Sequence, residues 1–138
     1  MKNSDRKAAM RKRVIDRVPV GILGYLGDEP VAWCSIAPRA TYRPLGGLER
    51  EGEAEADVWS LVCFFLKRSV RGQGLGRRTL EAAVAHARAE GARVVEGYAV
   101  DPDSPSYRFM GFVGAFEKAG FREVGRAGSR RHVMRLEI

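Results

Sequence analysis

The chain has 138 residues, 45% of them hydrophobic and 30% charged, with a formal net charge of +7. That length can bury a core without disulfide staples, and the composition is that of one ordinary globular domain, expected to span residues 1–138. No apolar run approaches the ~20 residues a membrane-spanning helix needs, and the basic N-terminus lacks the apolar centre of a secretory signal, so a cytoplasmic location is the default expectation. The positive charge points to an anionic partner: a phosphorylated ligand, nucleic acid or a membrane surface. Two cysteines, Cys34 and Cys63, each sit within a strand-like run, and the two histidines, His86 and His132, stand apart from them. This spacing fits buried free thiols and offers no metal site.

In chain order, residues 1–18 form an N-terminal helix, with Ser4 as cap, an apolar face of Ala9, Met10, Val14 and Val18, and Pro19 as stop. Val20–Leu26 and Val31–Ala37 read as a hairpin across Gly27-Asp28-Glu29-Pro30. The stretch Arg39–Ala56, with its prolines, Gly46, Gly47 and four glutamates, reads as a surface loop. "DVWSLVCFFL", Asp57–Leu66, is the strongest strand. It is apolar on both alternating faces, with Ser60 as the polar exception, as suits a central strand covered on both sides. Leu75 to Glu90 is an amphipathic helix whose stripe is Leu80, Ala83, Val84 and Ala87. Arg93–Val100 is a strand, Asp101–Ser106 a loop, and Met110–Ala119 a short helix ended by Gly120. "FREVGR" and "RHVMRLEI" are the last two strands. The order predicts an α/β domain. A strand–loop–helix–strand crossover over residues 57–100 gives two parallel neighbours, and the terminal hairpins make the rest of the sheet antiparallel. An uncovered edge on Val20–Leu26 would invite pairing with a second copy, which makes a homodimer plausible.

The loop between the apolar strand and the helix carries the chemistry. Gly72, Gly74 and Gly76 fall within five residues, with Lys67, Arg68, Arg71, Arg77 and Arg78 around them. Backbone N–H groups at a helix start lack intrahelical partners, the helix dipole adds positive charge there, and glycines let an anion approach the backbone. The pattern describes a phosphate cradle. It lacks the Gly-Lys-Ser/Thr ending of a Walker loop, and its spacing departs from the GxGxxG dinucleotide fingerprint.

"RGQGLG", Arg71–Gly76, matches the R/Q-x-x-G-x-G/A signature of the GNAT superfamily of acyl-CoA-dependent N-acetyltransferases, and "FEKAGF", Phe116–Phe121, resembles that family's helix-to-strand ending. The resemblance runs from about Val20 to Ile138. It implies a mixed, mostly antiparallel sheet whose central parallel strands splay apart, with helices on both faces. The resemblance leaves the family's usual first strand unmatched, a missing first strand. It implies acetyl-CoA as cosubstrate, an amine as acceptor, and direct transfer. The pyrophosphate would lie on the backbone of Arg71, Gly72, Gln73, Gly74, Leu75 and Gly76, with Arg77 nearby. The pantetheine arm would pair with the backbone of Phe64, Phe65 and Leu66. The family's tyrosine acid matches Phe116, which has no proton to donate, and its frequent asparagine falls near Phe109. A glutamate base found in many relatives aligns with Ser60, which could at most hold a water. Glu96, a carboxylate within an apolar strand, is the first candidate base, and Tyr98, two residues on, a candidate acid. Tyr107 and Asp57 are weaker candidates. Trp33 and Trp59 read as core residues that could also line an acceptor pocket. Two other readings stand beside transfer: a degenerate module that binds or senses CoA without turnover, and a nucleic-acid binder using the basic first helix.

Overall fold

The computed structural model describes residues 21–138. The predicted N-terminal helix, and the question of a missing first strand, lie outside the described residues. Six strands form one sheet: β1 (Ile22–Leu26), β2 (Glu29–Pro38), β3 (Val58–Leu66), β4 (Val94–Ala99), β5 (Arg122–Ala127) and β6 (Arg131–Glu137), in the order β1-β2-β3-β4-β6-β5. Only β3 and β4 run parallel; every other pair is antiparallel. Two helices are described, α1 (Leu75–Ala89) between β3 and β4, and α2 (Val113–Lys118) between β4 and β5.

The parallel pairing is short. It runs from Val58 opposite Val94 to Leu61 opposite Gly97 and stops there, although β3 continues to Leu66. Burial follows the pairing: Val58 to Leu61 are all buried, Val62, Cys63, Phe64 and Leu66 are only partly so, and Phe65 is exposed. The apolar run of β3 is therefore longer than the core it serves. Its second half lines an opening in the sheet.

The face of each β3 residue is set by an irregularity in the β2–β3 ladder. Ser35 pairs with Cys63 and Ile36 with Leu61, so Val62 is an extra residue, a β-bulge. Strict alternation would put Phe64 on the side of Val62. Across the bulge, Phe64 instead packs with Trp59 and Leu61 in the main core, while Val62 packs with Tyr98 and Val133 in a second cluster. Periodicity alone could not show this, because a run apolar on both faces carries no register signal.

Both described helices lie on the main-core face. Leu80, Ala83 and Ala87 of α1 and Phe116 of α2 pack with Trp59, Leu61, Val95 and Met134. Among the described residues, the opposite face is covered by segments without α-helix. Residues 39–57 hold two short 3-10 turns, Arg39–Thr41 and Glu55–Asp57, and residues 100–112 hold a third, Arg108–Met110. The helix expected from Met110 starts only at Val113. Gly111, at φ +94°, breaks the helical path, and this loop is tied instead to the end of β4. Val100 N–H donates to Gly111 O at 2.9 Å, and Val113 N–H donates to Val100 O at 3.1 Å.

Candidate active site

The glycine loop joins the end of β3 to α1. Gly72 (φ +82°) and Gly74 (φ +75°) both take the left-handed conformation, and a Cβ on either would meet only open space. These glycines serve the backbone path and leave room above it; they pack against nothing. Gly74 caps α1, and the first bond into the helix is Arg78 N–H to Gly74 O at 3.2 Å. The N–H groups of Leu75, Gly76 and Arg77 thus have no intrahelical acceptor, and no acidic residue stands in the first turn to compensate them. Arg71 Nε donates to Leu66 O at 3.1 Å, which fastens the loop to the end of β3.

Beside this loop, a cavity of about 180 Å³ opens where β3 has left β4. Phe64, Phe65 and Leu66 form one wall, Phe112 and Phe116 the other, and Gly76 of α1 lies at one end. Phe116 is fully buried and sets the far wall. Its ring meets Phe121 edge-on at 5.0 Å and Phe64 at 6.1 Å. The ring has this room because Gly97 and Gly111 carry no side chain; a Cβ on either would collide with it.

On the other face of the sheet, Ser60, Tyr98 and Glu96 come together, all three fully buried. Tyr98 donates to Glu96 Oε1 at 2.8 Å and accepts from Ser60 Oγ at 2.6 Å. The same carboxylate accepts from Arg135 Nε at 2.9 Å, Leu48 N–H at 3.1 Å and Arg39 Nη1 at 3.2 Å. A carboxylate offers about four lone-pair sites, and four donor groups occupy this one. The two arginines each reach on to a second glutamate. Arg135 forms two bonds to Glu53 (2.6 and 3.0 Å), and Arg39 two to Glu55 (2.7 and 2.8 Å). Those guanidinium bonds hold the carboxyls of Glu53 and Glu55 below the ordinary carboxylate range. Burial, and then the neighbouring Glu96 charge, pushes the Tyr98 phenol up, so it stays protonated. Gly47 lies directly over Glu96, where a Cβ would overlap the carboxylate.

Beyond the bulge on this second face lies a separate cavity of about 230 Å³. Tyr42, Arg43, Cys63, Tyr107, Phe109 and Arg131 are among its walls. Tyr107 is the one non-glycine residue with positive φ (+59°) among those described. The Arg131 guanidinium lies 4.9 Å over its ring, and Arg131 Nη1 also donates to Leu45 O at 3.1 Å. Burial pushes the Cys63 thiol up, which keeps it from acting as a thiolate.

Sequence reasoning brought out the glycine loop, the β3 wall and the Ser60, Tyr98, Glu96 group. It missed Arg39, Glu53, Glu55 and Arg135, and the acidic loop that read as solvated turns two of its glutamates inward. One signal was there. Glu96 is the lone charge in an apolar strand, and Arg135, set between Met134 and Leu136, sits opposite it in the β4–β6 ladder. Trp59 is a core residue, with its ring edge-on to His86 at 5.9 Å. Asp57 stands near Arg93, away from both cavities described here.

A half-paired parallel strand pair, a glycine loop feeding a helix N-terminus and an apolar cleft beside it define a protein built to hold a long ligand with an anionic group at one end. The chain belongs to the acetyltransferase (GNAT) family, whose model matches residues 2–121. Similar solved structures include a ribosomal-protein-alanine N-acetyltransferase from Brucella melitensis (18% identity, TM-score 0.66, covering 100% of this chain and 80% of that one). Another is yncA from Salmonella typhimurium with its cofactor acetyl-CoA (16%, TM-score 0.63, 99% and 74%). A third is the PaiA N-acetyltransferase from Thermoplasma acidophilum in complex with coenzyme A (14%, TM-score 0.60, 91% and 65%). Among curated proteins, none matches the chain in sequence. Among the described residues, no helix is long and apolar enough to cross a membrane, and no group of three or more His, Cys, Asp or Glu side chains could hold a metal.

Proposed function

We propose that the protein transfers the acetyl group of acetyl-CoA to a primary amine by direct attack. The observation that carries this reading is the continuity of the apolar cleft with the first turn of α1: Gly76 belongs to both. A pyrophosphate on the N–H groups of residues 71–76 would leave the pantetheine arm to run along Phe64, Phe65 and Leu66. Backbone N–H groups unpaired by β4 beyond Leu61 are free to bind its amides and to polarise the thioester carbonyl. The amine nitrogen attacks the carbonyl carbon. The C–N bond forms, the C–S bond breaks, and its electron pair leaves on sulfur. The proton the nitrogen loses passes to solvent, and solvent protonates the thiolate.

We assign Ser60, Tyr98 and Glu96 a positioning role in place of the base and acid roles their residue types suggest. Glu96 has no lone pair left for an amine proton, and Tyr98 and Ser60 are sealed behind it. The group fixes β4 against the 39–57 segment. Phe116 favours a second reading, a module that binds CoA without turnover, since an acid is absent where the family usually carries one. Calorimetry with acetyl-CoA and CoA, followed by a CoA-release assay over a panel of amines, separates the readings. Binding with amine-dependent release is expected. Binding of acetyl-CoA with no release for any amine would favour the module, and no binding of either ligand would overturn both.

A further inference from the structure

We propose that the acceptor is a free amino acid with an apolar side chain, its carboxylate held by Arg43 and Arg131. This rests on the transfer reading above and names the substrate class of that site. The aromatic cavity follows the cleft along the same two elements. On β3, Val62 and Cys63 line the cavity, and Phe64 to Leu66 line the cleft. On the 3-10 turn, Arg108 lines the cleft, while Phe109 and Met110 line the cavity. A thioester at the inner end of the cleft, beside the bulge, would face an amine lodged in this cavity.

The charge of the cavity wall then selects the amine. Its described walls carry two guanidinium groups and no carboxylate. Among the described residues neither Arg43 nor Arg131 forms an ion pair; Arg131 spends its bonds on a carbonyl and a ring face. A polyamine or a lysine side chain is a cation and would need acidic walls. The nearby acidic segment does not line this cavity: Glu53 and Glu55 are bonded to Arg135 and Arg39, and Glu49 faces Arg39. An amino acid suits the site from both ends. Its carboxylate matches the guanidinium fork, and its apolar side chain matches Tyr42, Phe109 and Met110. The left-handed Tyr107 belongs to the same design. It puts a strained aromatic residue where Arg131 can lie across its ring, and backbone outliers of this kind concentrate at ligand sites.

The test compares L-phenylalanine with phenethylamine, which lacks only the carboxylate, and with spermidine. Each is titrated against the acetyl-CoA-loaded protein by ligand-observed NMR and assayed for CoA release. L-phenylalanine should bind at least about tenfold more tightly than phenethylamine, the scale of one charge-assisted contact. Arg43→Gln and Arg131→Gln together should remove that preference while leaving acetyl-CoA affinity near that of the unaltered protein. Arg43→Gln alone, which breaks no bond among the described residues, should remove part of it. Equal or tighter binding of phenethylamine or spermidine, or no binding of L-phenylalanine, would overturn the assignment while leaving the acetyl-CoA site standing. Failure of the unaltered protein to bind acetyl-CoA would overturn the transfer reading itself.

Discussion

The two faces of the parted β3–β4 pair are built on opposite principles. The α-helical face is an apolar cleft that presents backbone: Phe64 to Leu66 on one side, Phe116 on the other, and a bare helix N-terminus at the end. The opposite face is held by charge, three glutamates and two arginines linked through Glu96, with Leu48 N–H and the Tyr98 hydroxyl completing the carboxylate's shell. A face that must accept a ligand arm leaves main-chain groups unpaired. A face that must hold a non-helical segment in place spends its polar groups on itself. If this contrast is right, damage to the charged face should appear as lost stability, and damage to the cleft as lost binding.

Arg135→Met should do the most harm to the fold. It leaves Glu53 and the fully buried Glu96 without their shared guanidinium, and removing one partner of a buried pair costs roughly 3–5 kcal/mol. Denaturant unfolding reads this directly; a loss under about 1 kcal/mol would mean that the network is not the clamp described. Gly97→Ala comes next. Its methyl group would meet the Phe116 ring, so overpacking should cost about 1–3 kcal/mol and narrow the cleft as well. It is thus the one substitution here expected to lower both stability and acetyl-CoA affinity. Gly47→Ala, matched to it on the charged face, would press on Glu96 and should lower stability with acetyl-CoA affinity unchanged.

The smallest effect is in pH. The carboxyls of Glu53 and Glu55 are depressed in the folded protein by their arginine partners. Their stabilisation is fully present above the unfolded carboxylate value of about 4.3 and is lost as pH falls through the lower folded values. Unfolding midpoints measured from pH 7 down to pH 3 should therefore fall in that acid range, and Glu55→Gln should flatten part of the slope.

The difference between the faces also explains what the sequence disclosed. The cleft side was legible because its devices are local. A glycine pattern, an apolar strand and an amphipathic helix stand consecutively between Asp57 and Glu90, and the parallel β3–β4 neighbours follow from that order. The charged side was not, because its partners are far apart in the chain: Arg39 lies 57 residues from Glu96, and Arg135 lies 82 from Glu53. Four alternating glutamates in a glycine- and proline-bearing loop look like a solvated segment until the sheet brings Arg39 and Arg135 beneath them. The bulge at Val62 was hidden for a different reason. Residues apolar on both faces look the same in either register, so only the pairing of Ser35 with Cys63 and Ile36 with Leu61 reveals it.

The central claim, that the glycine loop and cleft hold acetyl-CoA, is tested most directly by calorimetric titration of acetyl-CoA into the unaltered protein and into Gly74→Glu. Gly74 stands at φ +75° with open space above it, so a glutamate there would bring a carboxylate to the predicted pyrophosphate position without entering the core. The account predicts saturable one-to-one binding to the unaltered protein and none to the variant, with the variant still folded by circular dichroism. Binding that survives in Gly74→Glu would contradict it.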